Sequence, residues 1–136
     1  MGRYGIDWDK GLQNFTEEDY NLIMTETTKI IDEKNTDMNT LSGAFYDRGV
    51  LFEIKNEYRK AISDYTSSIK IRDNFYAAYY NRGRLFALER KYDIALSDLN
   101  KAMQINPDNQ DTIKLIGHVQ KAKQIKEDTE KEANNG

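Results

Sequence analysis

The sequence predicts an all-α protein, a solenoid of stacked helix-turn-helix units, and three observations carry that expectation. Tyr46-Asp47-Arg48-Gly49 returns as Tyr80-Asn81-Arg82-Gly83, 34 positions later. The same offset carries Phe52 onto Phe86, Tyr58 onto Tyr92, Ala61 onto Ala95, Ser63-Asp64 onto Ser97-Asp98 and Ile71 onto Ile105. A fixed period in this range marks a stacked array, because each unit buries its apolar face only against its neighbours. Second, Tyr92, Ala95, Leu96, Leu99, Ala102 and Met103 keep the three-four spacing of one helix face. Third, the only proline, Pro107, follows that face, where it ends a helix by disfavouring helical geometry at the residue before it.

Composition narrows the rest. The chain has 136 residues, enough for one domain, and 20 basic against 23 acidic side chains give a net charge of -3. No global positive field is present to hold nucleic acid or an anionic membrane. Cysteine is absent, which removes disulfides and thiolate metal sites and is compatible with a reducing compartment. No window reaches the roughly 18 to 20 apolar residues of a membrane span, and the first fifteen residues lack the apolar stretch of a secretory signal. The expectation is a soluble, cytoplasmic protein.

In chain order, residues 1–15, with Trp8 and Phe15, read as an extended arm. Residues 16–35 read as a non-repeat helix. Thr16 is its N-cap, Asp19 stands at the third helical position, and Tyr20, Ile23, Thr27, Ile30 and Ile31 form the apolar stripe. Residues 42–75 and 76–109 are the two repeats. In the second, a first helix runs from about Ala77 to Leu88, Glu89-Arg90-Lys91 forms the turn, and a second helix runs from Tyr92 to Ile105. Gly49 and Gly83 are small where the paired helices cross; a helical glycine costs roughly 1 kcal/mol against alanine, so its reuse implies a packing need. Residues 110–130 start like a third first helix, with Gly117 34 positions after Gly83, but no second helix follows. They are expected to cap the array, and residues 131–136 to form a disordered tail.

These residues resemble the tetratricopeptide repeat family. Both units carry the aromatic near the start of the first helix (Phe45, Tyr79), the small residue (Gly49, Gly83) and the large apolar one (Phe52, Phe86). Both second helices carry the small residue (Ala61, Ala95), the bulky one (Tyr65, Leu99) and a second small one (Ser68, Ala102). Asp73 replaces the closing proline in the first unit, and Arg48 and Arg82 stand where the family usually has an aliphatic side chain. The resemblance implies a right-handed solenoid whose first helices line a concave groove that holds a peptide or helix of a partner protein. It places Tyr46, Asp47, Val50, Glu53 and Ile54 of the first unit in that groove. From the second come Tyr80, Asn81, Arg84, Ala87 and Leu88, and from the cap Lys114, Leu115 and His118. Tyr and Arg combine contact area with hydrogen bonding, and an Asn amide offers a donor and an acceptor together. Tyr46 and Tyr80 have a second reading as packing between neighbouring helices, Arg84 one as a solvated surface residue, and Asn81 recurs in the family for stacking as well as for binding.

One branch of the family clamps the acidic tails of heat-shock chaperones with lysine, arginine and asparagine. Asn81 matches one clamp asparagine, but Tyr46, Val50, Asp111 and Leu115 stand where its other residues would be. That specialised ligand is not expected here. Nor is catalysis: His118 is the only histidine, Glu17-Glu18-Asp19 suits a helix first turn, and no phosphate-binding glycine loop is present. No cofactor or metal is expected. The functional expectation is a non-catalytic protein-protein interaction module; the alternative is a scaffold that self-assembles, as a homodimer or larger homo-oligomer, through a solenoid end or the N-terminal helix.

Overall fold

A computed structural model of the chain describes residues 14–33 and 36–135. These form six helices: α1 (Glu17–Asp32), α2 (Met38–Ile54), α3 (Tyr58–Ile71), α4 (Tyr76–Leu88), α5 (Tyr92–Ile105) and α6 (Gln110–Asn135). Each helix packs on the next in the chain, and α4 also touches α6. The arm around Trp8 and the end of the first expected helix at Lys34 lie outside the described residues. No described helix is long and apolar enough to cross a membrane.

The helix starts follow from local chemistry. Asp19 donates its backbone N–H to Thr16 Oγ1 at 3.1 Å and accepts the Thr16 N–H at 3.0 Å, a reciprocal capping box. Ile23 and Thr27 turn inward, and the Thr27 hydroxyl donates to the Ile23 carbonyl at 2.8 Å, so its burial leaves no polar group unsatisfied. Asp37 caps α2 through the Thr40 N–H at 2.9 Å, which starts that helix four residues ahead of the expected unit boundary at Ser42.

Packing inside each repeat is close enough to explain the glycines. A Cβ on Gly49 would stand 2.7 Å from the ring of the fully buried Tyr65, and one on Gly83 would stand 3.0 Å from Leu99 Cγ. Facing Ser42 and Ser68 share one buried site, each hydroxyl bonding the other residue's carbonyl at 3.0 and 2.8 Å.

The two recurring arginines each have a partner of their own. Arg48 forks onto Asp64 at 2.7 and 2.9 Å, and Arg82 onto Asp98 at 2.8 and 2.7 Å, each time between the two helices of a repeat. Arg82 also reaches back to Thr66 of the preceding unit at 3.1 Å. Both carboxylates are 6% exposed, so a bidentate guanidinium is what makes their burial tolerable. The Asp64 hydrogen bond, opposed by partial burial, raises the Arg48 pKa.

The turns repeat as well. Asn56 (φ 58°) and Arg90 (φ 63°) hold the same left-handed position, closed by Glu57 N–H to Phe52 O at 2.8 Å and Lys91 N–H to Phe86 O at 2.9 Å. One period further on stands Gln124, and there the chain does not turn. The expected helix of 110–130 therefore continues to Asn135, which corrects the disordered tail expected over 131–135, Gly136 lying outside the described residues. The reason is compositional: from Gln120 to Ala133 the chain is mostly Gln, Lys, Glu and Ala, good helix formers with no breaker among them.

Candidate protein-interaction face

The first helices of the repeats lie side by side, and hydrogen bonds between α2 and α4 mark the face they share. Asn81 donates its amide to Tyr46 Oη at 3.2 Å. Arg84 donates to both oxygens of Glu53 at 2.7 and 2.6 Å, and Tyr65 donates its hydroxyl to Glu53 at 2.9 Å. One carboxylate thus joins α2, α3 and α4. Burial opposes the charge on Arg84, but the bonds to Glu53 more than offset it and its pKa rises. Burial pushes the Tyr65 hydroxyl well above its ordinary value, and the Glu53 charge adds to that, so it remains a donor. Tyr80 is raised by burial first and by Asp111 second.

Four sequence-predicted residues therefore meet: Tyr46, Glu53, Asn81 and Arg84. They meet as the joint between repeats, with much of their hydrogen-bonding capacity already engaged. Tyr46 lies against Tyr65 and Phe75, ring centroids 5.6 and 4.9 Å away, which is the packing alternative for this tyrosine. Asp47 is only 7% exposed and offers little to a ligand. Val50 packs toward Ala61, Tyr65 and Leu85, while Tyr80 stacks on Tyr76 at 6.1 Å. Ile54, Ala87 and Leu115 are half-buried, whereas Leu88, Lys114 and His118 are exposed.

The bond between Tyr76 and Thr112 ties α4 to α6 and extends the same face by one helix. Sequence reasoning missed this pair and the role of Tyr65. The signal for Tyr65 was present: a tyrosine at a buried second-helix position needs an acceptor for its hydroxyl. It also missed an open cleft of about 600 Å³ between the α4–α5 turn and the second half of α6, lined by Arg90, Tyr92, Ala122, Ile125, Lys126 and Thr129 among others. That cleft exists because α6 runs straight past the point where the earlier repeats turn. Among the described residues, no group of three or more His, Cys, Asp or Glu is placed to hold a metal ion.

Residues 76–109 match the tetratricopeptide repeat family. No curated protein matches the chain. Among solved structures, the chain is similar to the first TPR domain of Spaghetti (RPAP3) bound to the HSP90 peptide SRMEEVD. That match is at 18% identity and a TM-score of 0.69, over 84% of this chain and 87% of that one. At this identity the likeness is one of fold: an all-helical repeat array.

Proposed function

We propose that this chain, a tetratricopeptide-repeat protein, is a non-catalytic adaptor that holds a segment of a partner protein on the face shared by α2, α4 and α6. The observation that carries the reading is the joint Tyr46–Asn81 and Glu53–Arg84, which fixes the neighbouring first helices in one orientation before any ligand arrives. A face held in advance loses little conformational freedom on binding. Around that joint, Leu88 offers an apolar contact and Lys114 and His118 offer donors, all three exposed. They suit a short extended or helical segment with an apolar side chain flanked by acceptors. The similar solved structure holds the HSP90 peptide SRMEEVD, but Tyr46, Val50, Asp111 and Leu115 stand where the clamp residues for acidic tails would be, so a different sequence is expected as the ligand here.

The test is capture of a partner from extract by the wild type and by the double variant Leu88→Glu, His118→Glu, with circular-dichroism melting of both. A partner bound by the wild type and lost by an equally stable variant supports the reading. Retention by the variant removes this face from consideration. A second reading, self-assembly, draws on a different observation: Leu22 on α1 and Ile113 on α6 are 59% and 41% exposed near opposite ends of the array.

A further inference from the structure

In this array each second helix lies between two first helices: α3 packs on α2 and α4, and α5 on α4 and α6. The two terminal helices each lack one of those neighbours among the described residues. α1 packs on α2 as a second helix packs on the next unit, and among the described residues no first helix pairs with it. α6 packs on α5 as a first helix does, and among the described residues no second helix packs on its other side. The glycine position records this vacancy directly. At Gly49 and Gly83 an added Cβ would meet the second helix of the same repeat, whereas at Gly117 it would meet nothing within 4 Å. Ile113, at the register of the buried Tyr79, is exposed for the same reason.

The two bare faces are complementary. On α1, Asp19, Leu22 and Glu26 follow helical spacing and place an exposed leucine between two acids. On α6, Lys114, Gly117 and Lys121 place an open glycine between two bases, beside Ile113. Paired helices within a repeat run antiparallel, joined by a three-residue turn. In that sense Asp19 meets Lys121, Leu22 meets Gly117 and Glu26 meets Lys114 in a single register.

We propose that α1 of a second copy docks on α6 and supplies the missing second helix, joining copies head to tail into a continued solenoid. This deepens the self-assembly reading and rests on it; it shares Lys114 with the groove, whereas Leu22 and Gly117, the positions it turns on, are not among the groove residues. Such a contact uses different patches on the two copies, so it leaves one of each free and produces open chains unless the rotation closes into a ring.

The experiment is sedimentation velocity over a wide concentration range on the wild type, on Leu22→Glu, on Gly117→Glu, and on the two variants mixed. Both substitutions are on exposed helix surface, and melting curves confirm that each variant is folded. Expected are wild-type species beyond a dimer that grow with concentration, monomers for each variant alone, and a dimer and nothing larger on mixing, because one competent end of each kind remains. A wild type that is monomeric throughout overturns self-assembly itself. A wild type that assembles while Leu22→Glu alone still does so overturns the head-to-tail contact and points to a symmetric one.

Discussion

The two complete repeats and the terminal helix α6 carry the same glycine at the same spacing, yet only the repeats use it. Gly49 faces the Tyr65 ring and Gly83 faces Leu99, while Gly117 faces open space. The turns differ in the same way: Asn56 and Arg90 reverse the chain in the left-handed region, and Gln124 continues a helix. A repeat residue is thus half of a contact, and its value depends on whether the other half is present. α6 keeps the outline of a unit without the partner that gave its residues meaning.

That contrast can be broken most severely at the charge pairs inside the repeats. Replacing Arg82 with Ala leaves the nearly buried Asp98 carboxylate without its fork and should cost roughly 3 kcal/mol, read by urea denaturation. Asp98→Ala in the same background should recover part of the loss, since the orphaned charge is then gone.

The glycines sharpen the comparison with a change of sign. Gly49→Ala should destabilise by about 2 kcal/mol, because the Tyr65 ring must move or strain. Gly117→Ala should instead stabilise by up to about 1 kcal/mol, the helix-propensity difference with nothing to clash against. Equal effects at the two positions in thermal melts would refute the account of α6 as an unpaired first helix.

The smallest effect belongs to the turn. Arg90 is exposed and carries a side chain through the left-handed region, whereas Asn56 tolerates it. Arg90→Gly should raise stability by about 0.5 kcal/mol, the relief of strain partly offset by added freedom in the unfolded chain. Asn56→Gly should change little.

The repeats were legible in the sequence because the 34-residue offset is a statement about contacts that occur twice. Tyr92 and Ile105 bound α5 in the structure as the periodicity predicts. The pairing of Arg48 with Asp64 and Arg82 with Asp98 was half-visible: both members recur, but a recurrence does not say which residues touch across two helices. The shared face was harder to read. The family resemblance places Tyr46, Glu53, Asn81 and Arg84 as contacts for a ligand, and in the structure Tyr46 bonds Asn81 and Glu53 bonds Arg84. Side chains suited to gripping a partner are equally suited to gripping a neighbouring helix, and spacing alone does not distinguish the two. The end of α6 is not legible in the sequence, because an exposed polar segment of Glu, Lys and Ala looks alike whether it frays or stays helical.

The order of packing, each helix on the next, also governs how the molecule comes apart. Contacts between distant parts of the chain are few, so little loop-closure entropy stands in the way of folding, which favours fast kinetics. Stability is then close to a sum of unit terms and junction terms along a line. The carboxylate of Glu53, shared by Tyr65 and Arg84, is one such junction term at the middle of that line. It acts beside the Asn81–Tyr46 and Arg82–Thr66 bonds, so the coupling between the two repeats is spread over several side chains rather than resting on one.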